Sequence, residues 1–229
     1  TRAIIPVHFG GHPCDLTRIT ECATRNRLAV IEDAAHALPT RCNGQLVGTL
    51  NSAATVFSFY ATKGITTGEG GMLVTRDAEL ARAARVMSLH GIDRNAYQRQ
   101  RLHGPSWYYE VVSAGYKYNM TDIAAAIGLQ QLRKASRFHT RRCELAERYD
   151  QELARLPLVL PPRPLQASDH AWHFYVVRLR DELEITRDEV VRRLHEEGIG
   201  CSVHYVPLHL HPFWRERYQF DPGAFPNSC

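Results

Sequence analysis

The sequence has 229 residues, with 28 Lys and Arg against 24 Asp and Glu, a formal net charge of +4, and 44% hydrophobic residues. This is the composition of a folded globular chain, so disordered and collagen-like classes are excluded. The small positive charge is not gathered into a basic tract and no run approaches twenty apolar residues, so neither a nucleic-acid partner nor a membrane span is expected.

The length allows one large domain or one and a half. Residues 15–27 read as a helix with Leu16, Ile19 and Ala23 on one face. Residues 28–33, LAVIED, are a short apolar run ending in two acids, predicted to be a buried strand with the acids at its carboxyl end. Residues 54–61, rich in β-branched and aromatic side chains, are a second strand, and 66–75 are a glycine turn followed by a third. A helix is predicted over 77–91, with Asp77 as N-cap and Gly91 just past its end. Strands alternating with helices at this spacing indicate an α/β domain. Residues 92–118 are irregular and aromatic, with Tyr97, Trp107, Tyr108, Tyr109, Tyr116 and Tyr118, and so long a loop points to function. From Thr121 to about Leu156 the sequence is strongly helical, nearly apolar and expected to be buried in its first half, amphipathic in its second. A Pro-rich connection, 157–166, leads to a strand at 172–180, a helix at 186–198 with a capping box of Thr186 and Glu189 and a stop at Gly198, and a strand at 199–206. This last third suggests a second, smaller α/β domain.

The cysteines, Cys14, Cys22, Cys42, Cys143, Cys201 and Cys229, are widely spaced and form no C-x-x-C pair. A disulfide framework is not expected, and a reduced cytoplasmic setting is the reading. His170 and His173, then His204, His209 and His211, invite a zinc hypothesis, but no Cys pair or HExxH accompanies them, and polar residues of a cleft wall are the simpler reading.

Two positions stand out chemically. Asp33 ends a buried strand, and open α/β sheets bind ligands at the carboxyl ends of their strands. Lys63 follows the next strand among small, hydroxylated and glycine-rich neighbours, where a partly desolvated amine can act as nucleophile or base. Ser58, five residues earlier, is placed to hold a phosphate. Taken singly, Asp33 could cap a helix starting at Ala34, Lys63 could be a surface lysine, and GEGG could be only a turn. Taken together and in order, they meet the needs of pyridoxal phosphate: a lysine for a Schiff base, an acid facing the pyridine nitrogen, and donors for the phosphate.

The strings VIEDAAHA (30–37), FSFYATKGITTGEGGMLVT (57–75), HGI (90–92), GYKYNMTDIAAAIGLQQL (115–132) and GIGCSVHYVPLHLHPFW (198–214) closely resemble, in order, the DegT/DnrJ/EryC1/StrS aminotransferases. These are fold type I pyridoxal-phosphate enzymes that aminate nucleotide-linked keto sugars. The resemblance implies an α/β fold: part of a large mixed-sheet cofactor domain in residues 1–134, and a linking helix with a smaller, incomplete carboxyl-terminal domain in 135–229. It implies a homodimer with shared sites, and glutamate and a nucleotide-diphosphate keto sugar as reactants of a ping-pong transamination. Lys63 matches the Schiff-base lysine and Asp33 the acid paired with the pyridine nitrogen. Ser58 matches the serine on the phosphate, and His36 a Gln or His beside the phenolic oxygen. Asn119 matches an asparagine that reaches the phosphate from the neighbouring subunit. His204 and Tyr205 fall in the segment bordering the sugar-nucleotide site, and Lys117 and His204 are candidates to meet the diphosphate.

The chain departs from the family pattern in three places. Position 64 is Gly where members often have Asn, which is expected to loosen the loop backbone. A Gly-Thr-rich phosphate loop and a ring-stacking aromatic residue, which the family carries near its amino terminus, are absent, as is the segment after residues 225–226. Thr1 opens the sequence without Met, so the chain is read as a fragment that binds cofactor poorly by itself and exposes apolar surface. Three other readings stand beside the aminotransferase: a dehydratase on the same scaffold, whose members replace the lysine by histidine; a non-catalytic remnant; and a metal-binding protein.

Overall fold

The computed structural model describes residues 1–93, 107–164 and 168–228. Tyr97, Cys229 and the end of the Pro-rich connection lie outside the described residues. The chain forms two compact units, Thr1–Arg178 and Leu179–Cys229. The first is built on a sheet of β1 (Ala3–Ile4), β2 (Ala29–Asp33), β5 (Ala54–Ser58) and β6 (Gly71–Val74), in the order β1-β2-β5-β6. The first three run parallel and β6 antiparallel, giving a mixed sheet. A small hairpin of β3 (Arg41–Cys42) and β4 (Gln45–Leu46) lies between β2 and β5 in sequence.

Helix α1 (Leu16–Asn26) starts where Asp15 accepts from the Arg18 amide at 3.1 Å. It buries Leu16 and Ala23 and packs on β2. Helix α2 (Ala78–Ser88) starts on Asp77, whose carboxylate accepts from the Glu79 and Leu80 amides, and Gly91 just beyond it has φ +72°. Asp77 acts as the sequence indicates, whereas the helix ends at Ser88, and His90, at φ +57°, is the first left-handed residue, one position before the predicted Gly91. Helix α3 (Asp122–Leu153) is capped by Thr121 and runs unbroken through residue 134, where the sequence reading divides the chain. Its first half is not buried as expected: Ile123 is 77% and Leu129 62% exposed, and the buried positions of α3 are Ala135 and Ala146. An apolar run requires a covering partner, and no described segment of this chain supplies one there.

Side chains of adjacent strand residues point to opposite faces. In β2 this puts Val30 and Glu32 on the buried side and Ile31 and Asp33 on the other. Both His8 and Glu32 have no exposed surface. The Cys14 amide donates to His8 Nδ1 at 3.0 Å, so the ring proton sits on Nε2 and is donated to Glu32 Oε2 at 2.9 Å. Thr55 on β5, the register partner of Glu32, donates its hydroxyl to Oε1 at 3.0 Å. Burial pushes the Glu32 carboxyl up, but hydrogen bonds from His8, Ser52 and Thr55 outweigh it and hold the carboxyl below its ordinary value.

The segment after the Pro-rich connection is not the strand predicted over 172–180; only β8 (Arg178–Leu179) forms there, paired in a short sheet with β7 (Leu158–Val159). The upstream part uses its amides elsewhere. Ala171 donates to Gly11 O, and His173 and Phe174 donate to Gly10 O. Trp172 has φ +50°, a turn conformation incompatible with a strand. His170 is buried, stacks on Trp172 at 3.9 Å between centroids, and accepts the Trp172 amide on Nδ1 at 2.8 Å. Burial, with the nearby His12, Arg163 and His139, lowers its pKa from 6.5 to about 3.

The second unit holds α4 (Arg187–Glu196), capped by Thr186, and α5 (Pro212–Tyr218). The capping box is half made: Thr186 accepts the Glu189 amide, while the Glu189 carboxylate turns outward to Arg192 and Arg193. Gly198, at φ +74°, ends the helix as expected. Residues 199–206 do not form the predicted strand, since no described strand lies beside them to take their hydrogen bonds. Among the described residues no helix is long and apolar enough to cross a membrane.

Two predictions about acid stability follow. Glu32→Gln gives one acceptor oxygen where the carboxylate gives two, stranding a buried donor. In the intact protein it should cost about 1–3 kcal/mol in urea unfolding at neutral pH. Because the folded pKa of Glu32 is depressed, its contribution is present above the unfolded carboxylate value and lost as pH falls through the folded one. The variant's deficit should therefore shrink on acidification. His170 is neutral when folded and charged when unfolded between pH 6.5 and about 3, so it removes about 1.4 kcal/mol per pH unit as acidity rises through that window. His170→Asn keeps an acceptor for Trp172 and should flatten the stability profile across that range, read by thermal unfolding at successive pH values.

Candidate functional site

Register partners in parallel strands share a face, so Asp33, its partner Val56, and Ser58 two residues on lie on one side of the sheet, at the carboxyl ends of β2 and β5. The opposite side carries Glu32, Thr55 and Phe57, all buried. Asp33 Oδ1 accepts the Ala35 amide at 3.0 Å, and no helix follows. The residue caps a turn, and its second oxygen has no hydrogen-bond donor among the described residues. Ser58 accepts the Tyr60 amide at 3.3 Å, leaving its own proton for another acceptor.

Lys63 sits in the turn that leaves β5, with its amide bonded to Tyr60 O at 2.9 Å. The loop from 59 to 70 folds back on its own stem: Phe59 donates to Gly70 O, Thr67 donates to Phe59 O, and the Thr66 hydroxyl donates to Phe59 O at 3.2 Å. Ile65 and Thr67 are buried and anchor it. The Lys63 amine is half-buried and makes no ion pair among the described residues. Gly64 does not leave the backbone loose. A Cβ there would stand 2.9 Å from Leu38 O and 3.4 Å from Arg142 Nη2, so the glycine lets the loop pack against the segment behind His36.

His36 is held from three sides. Gly10 N–H donates to its Nδ1 at 3.3 Å, His173 stacks on its ring at 4.4 Å, and Phe174 meets it edge-on at 4.9 Å. Gly11 makes this crossing possible: φ is +95°, and a Cβ would fall 2.9 Å from His36 O and 2.8 Å from the Ala171 Cβ.

The remaining sequence candidates stand apart from this cluster in their contacts. Asn119 and Lys117 are exposed and bonded to one another, Lys117 Nζ donating to Asn119 Oδ1, beside the stacked rings of Tyr116 and Tyr118. His204 and Tyr205 belong to the second unit, where Ser202 Oγ is 3.1 Å from His204 Nδ1 and the two rings lie 4.2 Å apart. His170 and His173 belong to the first unit; His204, His209 and His211 to the second. Among the described residues no three His, Cys, Asp or Glu side chains come together as a metal-binding group.

A cavity of about 500 Å³ in the first unit is lined by Phe9, His12, Cys14, Leu160, His170 and Phe174, among others. Another of about 470 Å³ in the second unit is lined by aromatic residues including Trp214, Tyr218 and Phe225. Neither is lined by Asp33, Ser58 or Lys63. Burial, Glu32 and Cys42 push the Cys14 thiol up to about 11, which makes it a poor nucleophile.

The donor set suits pyridoxal phosphate: a carboxylate with a spare oxygen, an amine without a carboxylate partner, and a hydroxyl with a spare proton, at and just beyond two adjacent strand ends. Three supporting residues were not singled out from sequence. Glu32 and His8 could have been suspected only from the doubled acid at 32–33, and Arg142 carries no signal in an arginine-rich helix.

The sequence model of the DegT/DnrJ/EryC1/StrS aminotransferase family matches residues 1–229. The spore coat polysaccharide biosynthesis protein SpsC of Bacillus subtilis is 44% identical over 230 residues, covering all of this chain and 59% of SpsC. Spr1654 of Streptococcus pneumoniae, solved in a PMP form, superposes with a TM-score of 0.89 at 30% identity over all of this chain and 61% of its own. It is also solved in a PLP form, with a TM-score of 0.87 at 28% identity, covering all of this chain and 60% of its own. Helicobacter pylori PseC, an aminotransferase involved in the biosynthesis of pseudoaminic acid, gives 0.88 at 28% identity over all of this chain and 59% of its own. The chain therefore spans about three fifths of the length of these relatives.

Proposed function

Since this chain belongs to the DegT/DnrJ/EryC1/StrS aminotransferase family, a fold type I group that uses pyridoxal phosphate, we propose that the protein containing it transfers an amino group from glutamate to a nucleotide-linked keto sugar. The observation that carries the reading is the order of Asp33, Ser58 and Lys63 on and after two neighbouring parallel strands, in a chain whose whole length fits the family. Polysaccharide biosynthesis is the setting suggested by SpsC. We place the family's division at residue 134, with the cofactor residues before it and the linking helix and smaller domain after it.

Pyridoxal phosphate supplies an electron sink for a carbanion at the substrate carbon. Lys63 would hold it covalently and would move the proton at that carbon as a general base and acid. Asp33 would keep a proton on the pyridine nitrogen, its carboxylate facing the cationic ring. The Ser58 hydroxyl donates to the phosphate. His36, fixed by Gly10, His173 and Phe174, borders the phenolic oxygen. In a homodimer, Asn119 reaches the phosphate of the neighbouring subunit. Lys117 and His204 meet the diphosphate of the sugar nucleotide, with Tyr205 at its border. Lys63 favours amination over dehydration, since dehydratases on this scaffold carry histidine there.

In the intact protein, Lys63→Ala should abolish turnover with glutamate and leave no cofactor fixed by borohydride; fixation at another lysine would sink the assignment. Asp33→Asn should retain cofactor yet lose at least about a hundredfold in kcat, and an unchanged kcat would remove Asp33 from the mechanism. Both variants should be assayed against a panel of keto-sugar nucleotides, and activity of the parent protein on none of them would reject the substrate class.

A further inference from the structure

Arg142 lies on α3, 79 positions after Lys63 in sequence, yet its guanidinium reaches the lysine loop. Nε donates to Ala171 O at 2.9 Å, and Nη1 points at Gly64 O at a longer 3.5 Å. Nη2 stands 3.4 Å from where a Cβ on Gly64 would lie. The side chain is half-buried, and burial lowers its pKa from the ordinary guanidinium value. Among the described residues it has no carboxylate partner. Taking a cation partly out of water without an acid beside it is unfavourable, and two backbone carbonyls compensate only in part.

Three segments converge on Gly64 and this guanidinium. One is the loop that carries Lys63. The second is the turn after His36, whose Leu38 O approaches Gly64. The third runs from Ala171 to Phe174, which holds Gly10 and Gly11 and, through His173 and Phe174, the His36 ring. The absent side chain at position 64 opens the space that brings the guanidinium to the loop backbone.

We propose that Arg142 is a positioning residue for Lys63: with Gly64 it forms a latch that fixes the lysine loop against the segments orienting His36, and sets a positive charge against the backbone of the residue that follows the lysine. The proposal rests on the reading of Lys63 as the lysine that binds pyridoxal phosphate. The latch makes two effects separable. Loss of the carbonyl contacts loosens the loop whether or not cofactor is bound. Loss of the charge makes protonation of the lysine–cofactor linkage easier and raises its pKa.

The test uses the intact protein with Arg142→Gln, Arg142→Lys and Gly64→Ala. Amide hydrogen exchange is followed in the cofactor-free state, and the pH midpoint of the bound cofactor's visible absorption is titrated in the loaded one. Arg142→Gln should speed exchange in residues 60–67 about tenfold or more while leaving 29–33 protected, and move the midpoint upward by about half a unit or more. Arg142→Lys keeps the charge but not the fork, so it should loosen the loop while leaving the midpoint near the parent's. Gly64→Ala should loosen the same segment, because its Cβ would stand 2.9 Å from Leu38 O and crowd the guanidinium. Parent-like exchange in 60–67, or an unmoved midpoint, in Arg142→Gln overturns the latch. Faster exchange everywhere overturns it too, as the mark of general destabilisation. If borohydride fixes no cofactor on Lys63 in the parent protein, the reading of Lys63 is at fault, and the positioning role falls with it.

Discussion

A carboxylate with no exposed surface, Glu32, receives the Nε2 proton of an equally buried histidine and the hydroxyl proton of Thr55 on the next strand. Such a group is tolerated inside a protein only when its acceptor sites are met. Meeting them joins the segment after β1, the middle of the sheet and β5 in one arrangement. The same residues fix the backbone: His8 N–H donates to Asp33 O, and Asp33 N–H to Pro6 O. With Glu32 locked inward, strand geometry leaves Asp33 facing the other side, next to Ser58. The position of the acid that the proposed chemistry uses is thus set by the acid that it does not.

The parts of the fold legible in the sequence were those governed by local rules. Asp77 and Thr186 cap the helices they were expected to cap, Asp15 and Thr121 cap helices predicted to begin at or beside them, and Gly198 stops one. The strands at 28–33 and 54–61 were found because a short apolar run between turn residues has few other uses. The failures share a cause, which is dependence on distant partners. Residues 172–177 carry strand-forming side chains, but His173 and Phe174 donate their amides to Gly10 O and Trp172 donates its amide to the His170 ring. Residues 199–206 have strand composition and, among the described residues, no strand beside them. The apolar half of α3 has the pattern of a buried helix and lies open, because an apolar face specifies that it needs covering and not by what.

The candidate site shows the same division. Asp33, Ser58 and Lys63 were legible because the chemistry selects residue types in a fixed order. The contacts that hold them were not: neither the stacking of His173 on His36 nor the reach of Arg142 to Gly64 has a periodicity or a short motif. Position 64 illustrates the point. A glycine read as slack in the backbone is a close approach, because freedom of φ and absence of Cβ are separate properties and only the packing tells which one is used.

The adjacent acids of β2 lead to a constraint on how this chain can change over evolutionary time. Substitutions act on one side of the strand at once, but a single-residue insertion or deletion between Leu28 and Glu32 would exchange the two sides. After an insertion Ile31 would stand where Glu32 now meets His8 and Glu32 would take the place of Asp33; after a deletion Asp33, one methylene shorter, would face His8 and Ala34 would end the strand. The strand therefore tolerates the exchange of one apolar side chain for another more readily than a change of its length by one residue.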